Sequence, residues 1–295
     1  MPPLADTAQR PLQRADRRMT TATRHAHPPR VGQLLRQWRQ QRHLSQLDLA
    51  LTAEVSSRHL SFIETGRSAP SREMVLHLAR QLQVPLREQN RLLQAAGYAP
   101  AYTELPLDAP GMEPVRAAVR QLLAGHEPYP ATLLDWRWNV VDRNAATDLF
   151  LEEVAPELLA PPVNVMRLCL HPGGLAPRIV DLSAFRARLL DRLRRQLDVM
   201  PDAELEALHR ELKGYPGSAP ASAPAGGNEA VWPLRMRHRD RTLAFFTTVA
   251  AFGTPLDITV SEIVIESFFP ADEPTAAVLR ARQRRNRPRH AASRR

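Results

Sequence analysis

At 295 residues with 43% apolar side chains, the chain is long enough for about two domains, each with its own core. No run of 18 apolar residues occurs, the N-terminus lacks an apolar stretch suited to secretion, and the lone cysteine, Cys169, excludes an intrachain disulfide, so a cytoplasmic protein without a membrane span is expected. The net charge of +9 is unevenly divided, with +4 on residues 1–30, +4 on 31–97, −7 on 98–279 and +8 on 280–295, which directs a polyanionic partner to the basic segments and away from the long acidic one.

Residues 1–30 are poor in apolar side chains and broken by Pro2, Pro3, Pro28 and Pro29, and are expected to form a disordered Arg-rich tail. His25 and His27 within it make a weak adventitious metal site at most. Between Leu44 and Pro70 the chain reads LSQLDLALTAEVSSRHLSFIETGRSAP. Ser45 can cap a short helix whose inward residues are Leu49 and Ala50, which leaves Gln46 at an exposed helix start. After the tight break at Glu54-Val55-Ser56, Ser56 can cap a second helix that runs to Thr65 and is stopped by Gly66. Leu60 and Ile63 face inward there. Ser57, Arg58, Ser61 and Phe62 share the opposite face, because residues three and four apart are neighbours on a helix.

That outward face suits a DNA major groove. Arg58 can donate a bidentate pair to guanine O6 and N7, Ser57 and Ser61 can bond base edges or phosphates, and Phe62 can pack on a thymine methyl. Phosphates would be met by Arg67, Arg72 and the amides at the Ser45- and Ser56-capped helix starts. A fourth helix from about Ser71 to Leu82 and a fifth opened by Pro85 and closed at Gly97 complete a DNA-binding segment at 31–97. Residues 98–112 read as a proline-bearing linker.

In the second domain, 113–279, a helix from about Glu113 to Leu123 is stopped by Pro128-Tyr129-Pro130. Residues 131–142 read as two strands around a tight turn, with Asn144 near the start of a short helix. A long helix is expected at 183–199, its stripe of Phe185, Leu189, Leu193 and Leu197 packing on the sheet, followed by another from Pro201 to near Gly214. Residues 214–228, GYPGSAPASAPAGGN, lack core formers and are expected to be a flexible insertion. Strands follow at 231–237, 241–252 and 257–268, with Asp240 marking the first hairpin and Gly253-Thr254-Pro255 the second. An antiparallel sheet flanked by helices describes a small α+β sensor fold of the PAS type. Residues 280–295 carry eight arginines and no acid, and are expected to be a disordered basic tail, either adding nonspecific attraction to DNA or simply solvated.

Trp136, Trp138, Phe185, Phe245, Phe246, Phe252, Phe268 and Phe269 concentrate in the expected sheet and its covering helix, where they either line a cavity or fill a core. Trp138, Leu168, Leu189, Phe245, Thr247 and Val249 are the candidate cavity wall. His171, in Leu170-His171-Pro172-Gly173-Gly174, either donates to a ligand carboxylate or caps a turn. Cys169 lies in an apolar run and reads as buried and inert. No phosphate-cradling loop, zinc spacing or nucleophile elbow is present, and Glu152-Glu153 and Asp272-Glu273 read as solvated charges, so neither a catalytic residue, a metal nor an enzyme is expected.

On Leu44-Ser45-Gln46, Leu49-Ala50, Val55-Ser56, Ile63-Glu64, Gly66 and Pro70-Ser71, residues 31–84 resemble the all-α, five-helix DNA-binding domain of the lambda-repressor-like (XRE-type) regulators. The resemblance implies that Gln46 clamps a phosphate and that Arg39 pairs with Glu64 as a structural ion pair. Over about Val31 to Leu279, blocks that include RHLSFIETGRSAPSREMVLHLA, DWRWNVVDRNAA and NVMRLCLHPGGLAPRIVDL resemble the MmyB-like regulators, which join this helix-turn-helix to an α+β PAS-like ligand-binding domain. The implied protein is a transcription regulator that holds a small apolar ligand, with fatty acids the favoured class and no other cofactor. Its expected partners are double-stranded DNA and a second copy of the chain. The DNA would be an inverted repeat with half-sites about 10 bp apart, centre to centre. An enzyme acting on the small molecule and an antitoxin-like protein-interaction module are the alternatives from other classes.

Overall fold

The computed structural model describes residues 31–216 and 233–286. The tail expected at 1–30, with His25 and His27, and nearly all of the expected insertion lie outside the described residues. Five helices come first: α1 (Val31–Gln41), α2 (Gln46–Thr52), α3 (Ser57–Glu64), α4 (Arg72–Gln81) and α5 (Leu86–Ala95). Local chemistry sets their ends. Ser45, Ser56 and Ser71 each accept a hydrogen bond from a backbone amide three residues on, and Gly66 and Gly97 take positive φ after α3 and α5. Leu35, Trp38, Leu49, Leu60, Ile63, Val75, Leu78 and Leu92 are all buried in one core. Gly32 lets α1 lie directly on the backbone of α3, since a Cβ there would stand 2.1 Å from the Ile63 carbonyl oxygen.

The second domain continues with α6 (Glu113–Gly125), β1 (Ala131–Leu134), β2 (Val140–Arg143), α7 (Asp148–Leu151), α8 (Val165–Leu170), α9 (Leu182–Val199) and α10 (Ala203–Gly214). It closes with β3 (Leu234–His238), β4 (Arg241–Ala251), α11 (Ile258–Glu262), β5 (Val264–Pro270) and α12 (Glu273–Asn286). The five strands form one antiparallel sheet in the order β2-β1-β5-β4-β3. The side chains of the sheet divide by alternation. Phe245 and Phe268 point to the face covered by α7, α8 and α9, whereas Phe246 stacks on Phe269 on the other face, where Phe252 packs near Leu133 and Ile265.

Three expectations are corrected here. Residues 257–268 are not one strand: the Asp257 carboxylate accepts from the Thr259 amide and starts α11, while its other oxygen accepts from Thr103 Oγ1 at 2.7 Å and the Leu105 amide at 3.1 Å. A β-branched run that favours strand is overridden by contacts from a distant part of the chain. The α9 stripe does not lie flat on the sheet either. Leu193 and Leu197 share a cluster with α8 and α10 that meets the sheet at Leu134, Val140 and Val264, while Phe185 and Leu189 face a cavity. Finally, residues 280–286 continue α12, where arginine is a good helix former and Arg284 and Arg285 sit in the last turn, favourable to the helix dipole. Arg282 pairs there with Glu152.

The expected linker is fastened to both domains. Asn90 of α5 accepts from the amides of Ala101 and Tyr102 and donates to the Tyr102 carbonyl at 2.8 Å, while the Ile258 amide donates to the Thr103 carbonyl at 2.8 Å. Across the junction, Arg87 of α5 makes a bidentate pair with Glu262 of α11 at 2.8 and 2.9 Å, binds Glu104, and lies over the Trp136 ring. These carboxylates hold the Arg87 guanidinium above its ordinary pKa against the opposing effect of burial.

Candidate functional site

The outward face of α3 is braced from behind. Leu60 and Ile63 are buried, and Glu64 beside them receives Arg39 Nε at 2.7 Å and Nη2 at 2.9 Å. Arg39 also donates to the Leu44 carbonyl at 2.7 Å, so one guanidinium ties α1, the turn before α2 and α3 together. Hydrogen bonding by Glu64 raises the pKa of Arg39 above its usual value. Gln46 Nε2 donates to the same glutamate at 2.8 Å. An amide nitrogen carries two N–H groups, so this bond orients Gln46 and leaves a second donor for a phosphate.

Ser57 and Arg58 are exposed, and Ser61 and Phe62 are half-buried. The Phe62 ring has the Arg58 guanidinium 5.4 Å from its centroid on one contact and that of the exposed Arg67 5.9 Å away on another. Phe62 thus serves as a platform that gathers two cations, an arrangement the sequence reading did not foresee. The Ser56 hydroxyl accepts from the His59 amide at 3.1 Å as the cap of α3. Arg72, half-buried, opens α4 immediately after the Ser71 cap. A braced, polar, arginine-bearing helix face next to capped helix starts is chemically suited to phosphates and base edges.

The second site is a cavity of about 400 Å³ between the sheet and helices α7, α8 and α9. Five of the expected wall residues line it: Trp138, Leu168, Leu189, Phe245 and Thr247. Two others do not. His171 Nδ1 accepts from the Gly173 amide at 3.0 Å and its ring meets Tyr215 edge-on, so it caps a turn. Val249 lies on the same face of β4 as Thr247 but beyond the end of the cavity, 48% exposed. The turn that His171 caps needs its glycines, for a Cβ on Gly174 would stand 2.2 Å from the Leu168 carbonyl oxygen.

Sequence reasoning missed the charged residues of the wall: Arg143, which pairs with Asp148, and the facing couple Arg192 and Glu266. The couple was traceable by period: Arg192 falls three residues after Leu189 on the cavity face of α9, and Glu266 two before Phe268 on β5. The Arg192 guanidinium lies 4.2 Å from the centroid of Trp138, and its nearest approach to a Glu266 oxygen is 3.6 Å. Trp138 is itself pinned, donating from Nε1 to Gln196 at 2.8 Å, while Gln196 donates to the Trp136 carbonyl at 2.6 Å. Desolvation pushes the Glu266 carboxyl above the usual glutamate range, with Arg192 opposing. Cys169 faces the cavity, and burial, aided by the Glu266 charge, pushes its thiol up to about 12, which makes it unreactive. Among the described residues no group of His, Cys, Asp or Glu is placed to hold a metal ion, and no helix is long and apolar enough to cross a membrane.

A helix-turn-helix DNA-binding domain joined to an α+β domain with an internal ligand cavity is the architecture of a one-component transcription regulator. Family comparison agrees on both halves: residues 35–89 match the helix-turn-helix profile, and 115–281 match the ligand-binding domain of the MmyB-like transcription regulators. The chain belongs to that family, a DNA-binding transcription regulator with a ligand-binding domain. Comparison with curated proteins gives no match. Among solved structures the chain is similar, at 16% identity over 86% of its length, to one titled "Structure of an RNA-binding Light-Oxygen-Voltage Receptor", spanning 62% of that chain with a TM-score of 0.23. A superposition that loose bears on neither fold nor function.

Proposed function

We propose that the protein is a dimeric regulator that reads an inverted-repeat operator through α3, and that a small apolar, fatty-acid-like molecule in the cavity alters its affinity for that operator. The observation that carries this reading is the braced face of α3: Arg58, Phe62 and Arg67 stand outward while Glu64 locks the same helix to Arg39 and Gln46 behind it. Arg58 is the base-reading residue, with Ser57, Ser61 and Phe62 beside it, and Gln46, Ser56, Arg67 and Arg72 take the phosphates. The predominantly apolar wall of the cavity favours an apolar ligand over a sugar or nucleotide, and nothing in the reading requires a catalytic step.

The junction supports a route between the two sites. Glu262, which grips Arg87 of the DNA-binding domain, and Glu266, which faces the cavity, lie four residues apart on one segment. Trp136 under Arg87 and Trp138 under Arg192 lie two apart on one turn. A ligand that shifts either segment changes how the reading helices are presented, and its influence on DNA equals its difference in affinity for the two arrangements.

The test is a gel-shift titration on duplexes selected by the protein itself, with and without added straight-chain acids. A selected inverted repeat whose affinity changes on adding the acid is the expected result. Indifference to every duplex at low salt, or affinity that ignores the acid while native mass spectra show none bound, would overturn the corresponding half of the proposal.

A further inference from the structure

The cavity wall is mainly apolar, and in it Arg192 and Glu266 meet beside Thr132, the cross-strand partner of Glu266. The wall's remaining charged residue, Arg143, already has a carboxylate partner in Asp148. Elsewhere the protein builds its arginine–glutamate pairs tightly: Arg39 to Glu64 at 2.7 and 2.9 Å, Arg87 to Glu262 at 2.8 and 2.9 Å, Arg167 to Glu211 at 2.8 Å twice. Arg192 and Glu266 approach only to 3.6 Å. A guanidinium has five N–H donors in a planar fork matched to two carboxylate oxygens, and this one lies over a pinned indole ring, 4.2 Å from its centroid, with its glutamate at 3.6 Å.

We infer that Arg192 reads the polar end of the ligand, and that Glu266 is a stand-in whose place beside the guanidinium is taken by a carboxylate of the bound molecule. The inference rests on the proposed occupancy of the cavity by an apolar ligand, and narrows it to a monocarboxylate with an apolar body lying along Phe150, Leu168, Phe245 and Phe268.

Charge balance adds a consequence. One guanidinium against one glutamate is neutral; a second carboxylate brought into the same apolar cavity leaves an uncompensated buried anion. Among the described residues the other cation of the cavity wall, Arg143, stands beyond Thr132 on β2 and is already paired with Asp148. Thr132 of β1 and Val249 of β4 are the cross-strand partners of Glu266, α8 presents the neutral Cys169 thiol, and α9 presents Arg192 itself. Glu266 therefore takes a proton from solvent as the acid binds, and becomes a neutral side chain able to donate to the ligand carboxylate or to Thr247.

Calorimetry on the full chain with decanoate and with 1-decanol, in two buffers of different ionisation enthalpy, tests this. Wild-type protein is expected to prefer the acid, taking up close to one proton per decanoate and none per decanol. Arg192→Gln should lose at least tenfold in decanoate affinity with decanol unchanged, so that retained decanol binding certifies the fold. Glu266→Gln should bind decanoate at least as tightly as wild type, without proton uptake. An acid-to-alcohol preference that survives Arg192→Gln, or proton uptake that survives Glu266→Gln, overturns the inference while leaving an apolar ligand in place. Wild-type protein that binds neither compound, yet still binds duplex DNA, overturns the ligand reading beneath it as well.

Discussion

Arg39–Glu64 in the DNA-binding domain and Arg192–Glu266 in the cavity are the same two residue types in opposite circumstances. The first is bidentate, buried and shared with Gln46, and every part of it fixes the angle between α1, α2 and α3. The second is loose, one partner resting on tryptophan and the other desolvated above its ordinary protonation range. A satisfied pair holds a shape, whereas an unsatisfied one is poised to accept something else. The contrast separates framework from binding site without reference to which residues are charged.

The contrast can be broken most severely at Glu64. Glu64→Ala leaves Arg39 buried without its partner and should cost about 3–5 kcal/mol in urea denaturation of the full chain, with DNA binding lost as α3 loosens. Glu266→Gln, by comparison, should leave stability at pH 7 no lower than wild type; equal losses from the two would erase the distinction drawn here. Next in size, Arg58→Ala should relax sequence preference by about 1–3 kcal/mol, while Arg67→Ala should weaken binding to all duplexes alike and lower the salt slope by about one. Identical responses of operator and scrambled DNA to the Arg58 change would remove its base-reading role.

Arg87→Met keeps an apolar stem over Trp136 but deletes the Glu262 and Glu104 pairs. It should leave DNA affinity in the absence of ligand nearly unchanged and reduce the change in affinity that added decanoate causes; an undiminished response would move the route elsewhere. The smallest effect is one of pH. Because the folded-state pKa of Glu266 is raised, the folded chain binds its proton more readily than the unfolded one, so its contribution to stability falls as pH climbs from the ordinary glutamate range through the raised value. Denaturation curves of wild type and Glu266→Gln should therefore diverge as pH rises across that window, with the variant the more stable at the upper end.

The helix-turn-helix was legible because its punctuation is local. Ser45, Ser56 and Ser71 cap helices whose first turns follow them directly, and Gly66 and Gly97 end helices by their own backbone conformation. The strands were legible by alternation except where a distant partner intervened: Asp257 starts a helix only in the company of Thr103 and Leu105, which stand more than 150 positions earlier. Phe245 and Thr247 line the cavity while Val249, on the same face of β4, lies past it, since alternation tells which face a residue takes and not where a cavity ends. Arg192 and Glu266 were passed over because a charge on an apolar stripe reads as an interruption. Its meaning depends on a neighbour brought by another element.

The segment between the domains is caught along its course by Asn90, Asp257 and Arg87, and so behaves as a stiff strut rather than a tether. For the proposed dimer that stiffness has a consequence for genetics. Each reading helix is carried at a fixed phase with respect to its twin, so adding a single base pair between the half-sites turns one of them out of reach by about a tenth of a helical turn, and natural binding sites should keep one separation with little drift.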